Sequence, residues 1–166
     1  MKNCLRTILF AAITLTIACN TGKHYKSGAA ANKLIGTWKL IKYEDYDTIT
    51  GKTIRLYGDN PKGYFTYTKS GIVNINGSAE NTLPISEDSA YKNPISIGVL
   101  LDNAWGYFGT YSIDEKNSVV THYPTGGSIP WYIGTEQHRQ FILKGDTLFI
   151  GDPTFKIGKR VLIRVE

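Results

Sequence analysis

His122 and Arg139 are the side chains of this sequence with the widest range of possible chemistry. An inward-facing imidazole can be a satisfied core residue, a hydrogen-bonding group on a cavity wall, or a general base. A guanidinium can stack on an indole such as that of Trp38, or bind a carboxylate through two parallel hydrogen bonds. The sequence leaves these alternatives open. An interior Arg139 without an acidic partner would favour carboxylate binding.

Aromatic side chains are numerous, with 11 tyrosines, 6 phenylalanines and 3 tryptophans. Strand propensity accounts for most of them. A small-molecule site is usually an apolar cavity with few orienting polar groups, and inward tyrosine hydroxyls would supply such groups. The residues predicted to bind a ligand are Tyr67, Tyr111, His122, Trp131 and Arg139. No catalytic residue is assigned.

Several other chemistries lack a pattern in the sequence. His122 and His138 fall on opposite predicted strand faces, and no His, Cys or Asp cluster has metal-ligand spacing. No glycine-rich loop opens a helix, and no Ser-His-Asp or Cys-His arrangement with a nucleophile elbow is present. Lysines and arginines are scattered, which argues against nucleic-acid binding. No metal or cofactor is therefore predicted.

Short β-strands must position these side chains. From Leu34 onward, alternating runs rich in Tyr, Thr, Ile and Val are separated by turn residues, which is typical of an all-β sandwich or barrel. A short helical insertion is expected between the third and fourth strands, where Pro94 interrupts any long helix. Tight connections indicate an antiparallel meander, and eight strands suffice for a closed barrel around one small ligand. The predicted strands are 35–43, 63–68, 72–76, 105–113, 118–123, 134–143, 147–150 and 159–165.

Side chains of a strand alternate between its two faces, so the period of two predicts which of them share a face. Trp38 shares a face with Gly36 and Leu40 and is predicted to plug one end of the barrel. The other predicted sets are Tyr107, Gly109, Tyr111 and Ile113; Val120 and His122; and Gln137, Arg139, Phe141 and Leu143.

An ordered set of motifs resembles the bacterial and fungal lipocalin-like domain family over almost all of residues 34–165. The motifs are Gly36-Thr37-Trp38-Lys39-Leu40, Asn60-Pro61-Lys62-Gly63-Tyr64, Tyr67-Thr68-Lys69-Ser70-Gly71, Tyr107-Phe108-Gly109-Thr110-Tyr111, His122, and the run from Trp131 to Arg139. The resemblance implies an eight-stranded up-and-down barrel with an internal cavity, generally of unassigned ligand. The sequence departs from true lipocalins, having no disulfide and no Thr-Asp-Tyr motif, so the transport roles of animal lipocalins are not carried over.

The first 18 residues are predicted to be a signal peptide. Lys2 and Arg6 precede an apolar run that is too short to span a bilayer and that ends at Ala18. Residues 16–19 look like the lipobox of bacterial lipoproteins, which predicts lipidation of Cys19, although Thr16 stands where that family prefers leucine. The alternative is a secreted protein cleaved near Ala18.

The predicted organisation is a signal peptide (1–18), a lipidated cysteine with a flexible tether (19–33) and a barrel domain (34–166). Loss of Lys2 and Arg6 with the signal would lower the formal charge from +5 to +3. Cys4 would leave with the signal, so the domain must be stable without a disulfide. The expected location is the cell envelope, anchored to the outer membrane or a periplasmic face.

Three functional hypotheses follow from the sequence. The leading one is a membrane-anchored lipocalin-like protein that binds a small apolar or amphipathic ligand in the barrel. The second is an enzyme using isomerase- or hydrolase-type acid–base chemistry in the same cavity. The third is a barrel filled by its own side chains, acting as a structural module of an envelope complex. Fold alone does not decide among them.

Overall fold

A computed structural model describes residues 33–84, 86–92, 94–152, 154 and 156–166, with only the backbone of 89–91. The predicted signal peptide, Cys19 and the tether up to residue 32 lie outside the described residues.

The described part of the chain forms nine strands and two short α-helices. The strands are β1 (Gly36–Tyr46), β2 (Thr53–Ile54), β3 (Lys62–Tyr67), β4 (Ile72–Ser78), β5 (Ala104–Asp114), β6 (Val119–Gly127), β7 (Gln137–Lys144), β8 (Thr147–Gly151) and β9 (Gly158–Arg164). The helices are α1 (Glu87–Lys92) and α2 (Ile97–Asn103), and a single 3₁₀ turn covers Pro130–Tyr132. None of the described helices is long and apolar enough to cross a membrane.

Eight of these strands close into an antiparallel barrel, as the sequence predicted. Their order around the barrel is β1-β3-β4-β5-β6-β7-β8-β9, and β9 pairs with β1 to complete the ring. Strand β2 pairs only with the far end of β1, where Asp45 lies opposite Ile54. Closure leaves no free edge on the eight strands of the ring.

The position of the helical insertion needs correction. Helices α1 and α2 lie after β4, not after the third strand. The difference arises between the first two predicted strands, 35–43 and 63–68, because Thr53 and Ile54 form the additional strand β2 there. Helix α2 begins after Ser96, whose side chain accepts a hydrogen bond from the backbone N–H of Val99.

Trp38, which the sequence predicts to plug one end of the barrel, lies near the start of β1. Its side chain is fully buried, and its indole N–H donates to the Leu34 carbonyl at 2.8 Å. Its cation partner is Arg164, whose guanidinium carbon lies 4.1 Å from the centre of the ring. The suggested stacking of Arg139 on Trp38 is therefore wrong. Strand β9 pairs directly with β1 and places Arg164 opposite Trp38.

Candidate functional site

A cavity of about 350 Å³ occupies the other end of the barrel. Its lining comes from the far part of β1 and from six further barrel strands, with Leu101 and Asp102 of α2 and the loop after β6. Six aromatic side chains make up much of the wall: Tyr43, Tyr57, Phe65, Trp105, Tyr107 and Tyr132. The barrel is thus solid around Trp38 and hollow at its opposite end.

A bulge in β1 brings two of the lining residues inward. Leu40 lies opposite Leu162, but the next register pair is Lys42 with Val161, so the β1 strand carries one additional residue. The bulge reverses the alternation of side chains, because a shift of one residue moves a side chain to the opposite face. Tyr43 and Asp45 therefore line the cavity although Trp38 and Leu40 also face the interior.

The aromatic wall is packed edge to face. The Tyr43 and Tyr57 rings lie 4.6 Å apart at 80°, and the Phe65 and Trp105 rings lie 5.9 Å apart at 86°. The Trp105 indole covers Gly77, where a Cβ would lie only 2.8 Å from the ring. The buried indole N–H of Trp105 has no hydrogen-bond partner within the described chain. The wall is mostly apolar, as is usual for small-molecule sites.

His122 lies between the solid and hollow parts of the barrel and is held on both sides. Its Nε2 is 2.9 Å from the Tyr67 hydroxyl, and its Nδ1 is 2.7 Å from the Tyr107 hydroxyl. Burial, assisted by the charge of Arg139, lowers the pKa of His122 to about 3. Burial also raises the pKa of Tyr67 and of Tyr107. The three groups are therefore neutral at pH 7.

Arg139 projects into the cavity from β7. Its guanidinium donates to the side-chain oxygen of Gln137 at 3.0 Å and to the Tyr132 hydroxyl at 3.5 Å. Among the described residues it has no carboxylate within 4.0 Å. The second cavity arginine, Arg160, differs because it pairs with Asp45 at 2.8 Å and lies 3.4 Å from the centre of the Tyr43 ring.

Three of the five predicted ligand-binding residues line the cavity: His122, Trp131 and Arg139. Tyr67 lies one layer further in, behind His122. Tyr111 packs edge to face on Tyr67 at 5.1 Å and donates to the Thr68 carbonyl at 2.8 Å, away from the cavity. Both tyrosines face the interior, but their positions along the strands place them in the solid half.

Among the lining residues that the sequence-based prediction missed are five aromatic residues and an arginine: Tyr43, Tyr57, Trp105, Tyr107, Tyr132 and Arg160. Tyr107 was predicted to share a face with Tyr111, but both faces of that strand are partly apolar, so alternation did not decide which face points inward. Arg160 shares a face of β9 with the buried Leu162, so alternation from Leu162 would have found it. Tyr57 lies in a loop, where no period exists to indicate its direction.

Exposed apolar side chains rim the cavity. Trp131 is 60% exposed, and Leu56 and Ile157 are also exposed while lining the same space. The apolar wall thus continues to the protein surface at this end of the barrel. Within the described ranges no group of three or more His, Cys, Asp or Glu residues could hold a metal ion.

A closed antiparallel barrel of eight strands, plugged by a tryptophan at one end and hollow at the other, defines a lipocalin-like protein. The chain matches the lipocalin-like domain family over residues 35–159 and belongs to that family. No curated protein matches the chain.

Proposed function

We propose that this protein binds a small apolar or amphipathic molecule in the hollow end of its barrel. The observation that carries the proposal is the cavity itself, which has about 350 Å³ of space and aromatic walls, with two arginines, three aspartates and His122 among its lining residues. Cavities of this size and composition are the usual form of small-molecule sites. The lipocalin-like fold supports the same function. The exposed apolar rim gives such a ligand a path from the surface.

The enzyme hypothesis receives less support from the state of His122. Both ring nitrogens already have hydrogen-bond partners, and the pKa of the imidazole is lowered to about 3. A general base works best when its pKa lies near the working pH. The third hypothesis, a barrel filled by its own side chains, describes only the half around Trp38.

Native mass spectrometry of the purified chain tests the binding proposal. We expect a bound species of additional mass that is lost on denaturation and is recovered chemically unchanged. Its recovery unchanged after prolonged incubation with the protein would support a binding protein. Conversion of the released molecule by fresh protein would support the enzyme hypothesis and contradict the proposal.

We also propose that the domain is anchored in the cell envelope through a lipidated Cys19, with the segment up to residue 33 as its tether. The sequence motif at residues 16–19 supports this location. Cys19→Ala is expected to move the protein from the membrane fraction to the soluble fraction, because one acyl-bearing cysteine supplies the attachment. Cys4→Ala, within the predicted signal, is the matched control. Membrane association that survives Cys19→Ala would contradict the anchor.

A further inference from the structure

We propose that the cavity selects ligands that carry a carboxylate, and that Arg139 and the Tyr107 hydroxyl hold that carboxylate. The ligand class would be amphipathic monocarboxylic acids whose apolar part lies against the aromatic wall. This inference rests on the proposed binding function and specifies the chemistry of the same cavity.

The first reason is the uncompensated charge of Arg139. Its hydrogen-bond partners in the described structure are neutral: the Gln137 side-chain oxygen, the Tyr132 hydroxyl and the His138 backbone carbonyl. Arg160 in the same cavity is instead neutralised by Asp45. A partly buried guanidinium without a counter-charge is poorly solvated, and a carboxylate is the group that its planar donors fit best. A ligand anion would supply the missing counter-charge.

The two other acidic residues of the cavity lining do not fill this role. The Asp152 carboxylate accepts hydrogen bonds within its own loop, from Thr154, Ile157 and the backbone N–H of Gly158. Asp102 acts electrostatically on Tyr57, next to the Arg160 pair. The positive charge of Arg139 instead acts on His122, where it contributes to the lowered pKa of the imidazole. Among the described residues, Arg160 thus has a carboxylate partner in Asp45, whereas Arg139 has none within 4.0 Å.

The second reason is a count of protons along the chain from Tyr67 through His122 to Tyr107. The neutral imidazole has one N–H, and each tyrosine has one O–H, so three protons serve two hydrogen bonds. One O–H at an end of the chain is left over. In the described structure the Tyr67 hydroxyl makes a hydrogen bond only to His122, and the Tyr67 side chain is fully buried. An O–H without an acceptor at this position would therefore raise the free energy of the folded state.

The free energy is lowest when the Tyr67 O–H donates to Nε2 of His122 and the Nδ1–H of His122 donates to the Tyr107 oxygen. The Tyr107 O–H then remains as a free donor, and Tyr107 lines the cavity. Tyr132 links Arg139 to Tyr107, because its ring lies 5.7 Å from the Tyr107 ring and its hydroxyl accepts from Arg139 at 3.5 Å. The charge of Arg139 accordingly opposes the rise in the pKa of Tyr107 that burial causes. A guanidinium and a hydroxyl donor therefore line the same cavity, and both can donate to a carboxylate.

Isothermal titration calorimetry with matched acids and amides tests this assignment. The probes are decanoate with decanamide and 2-naphthoate with 2-naphthamide, which keep the apolar part constant and remove the charge. For at least one pair the acid is expected to bind on the order of 10- to 100-fold more tightly, as loss of a charge-assisted hydrogen bond predicts. Arg139→Gln should abolish this preference while leaving amide affinity within about threefold.

Two further variants keep the test decisive. Arg139→Lys retains the charge without the planar pair of donors, so it should keep part of the preference even if Arg139→Gln fails to fold. Lys39→Gln removes one positive charge from an exposed site on the outer face of β1 and should leave the preference unchanged. Equal binding of acid and amide by the native protein would overturn the inference and leave the proposed binding function standing. Failure of every probe to bind would overturn the inference and count against the binding function.

The tautomer of His122 gives a test that needs no ligand. Nitrogen-15 NMR of the free protein should show the proton on Nδ1. A proton on Nε2 would place the free O–H on Tyr67 and would overturn the role of Tyr107.

Discussion

Trp38→Ala is expected to lower the free energy of unfolding by about 3–5 kcal/mol, the usual cost of removing a fully buried tryptophan. The substitution deletes the plug of the solid end, the hydrogen bond to the Leu34 carbonyl and the stacking surface of Arg164. A domain of this size is typically stable by only about 5–15 kcal/mol, so the loss is a large fraction of the total. Urea unfolding followed by circular dichroism measures it as a lower midpoint at unchanged slope.

Trp131→Ala is the matched control, because it removes the same side chain from a site that is 60% exposed. The expected loss there is about 1 kcal/mol or less. Equal losses for Trp38→Ala and Trp131→Ala would contradict the assignment of Trp38 as the structural plug.

His122 is expected to make the protein markedly less stable as the pH falls below 7. Burial lowers the pKa of the folded imidazole to about 3, whereas the unfolded chain binds the proton with a pKa of about 6.5. The unfolded state therefore holds more protons between these values, so stability is complete above the unfolded pKa and falls as the pH decreases. Between pH 7 and pH 4.5 the loss should be about 2.5 kcal/mol. Urea unfolding at a series of pH values measures it.

The range from pH 7 to 4.5 separates the contribution of His122 to stability from that of the carboxylates. The pKa of Asp152 is lowered to about 2, by hydrogen bonds within its loop, so its contribution is lost only below about pH 4. His122→Gln should make the free energy of unfolding nearly independent of pH between pH 7 and 4.5, whatever the substitution does to stability at pH 7. His138 has a side chain that is 54% exposed, so His138→Gln should leave the pH dependence of the free energy of unfolding unchanged. Titration of the His122 ring in the folded protein between pH 7 and 5, observed directly by NMR, would contradict the account.

The barrel architecture was predictable because it depends mainly on the alternation of apolar and polar residues along the strands. Alternation of apolar and polar residues predicted that Val120 shares a face with His122, and Arg139 with Phe141. In the structure these side chains are buried or line the cavity. Regular strands with tight turns then leave few arrangements other than an antiparallel barrel. The family resemblance, carried by motifs spread over the whole domain, agreed with the same result.

The cavity wall was less predictable because it depends on irregularities. The bulge after Leu40 turns Tyr43 and Asp45 inward, and nothing in the alternation of β1 indicates where the additional residue lies. The partner of Trp38 depended on which strand closes the ring. Alternation alone does not distinguish Arg139 of β7 from Arg164 of β9, and only the pairing of β9 with β1 places Arg164 against Trp38. That selection is what leaves Arg139 available in the cavity.

Blocking the cavity while counting the bound ligand tests the central claim most directly. Ile150 is buried and lines the cavity, whereas Ile142 is exposed on the outer face of β7, so the two residues allow the same substitution inside and outside the barrel. Native mass spectrometry should show the bound species in the native protein and in Ile142→Trp, and its loss in a folded Ile150→Trp. Retention of the same ligand by Ile150→Trp would show that binding takes place elsewhere and would contradict the account.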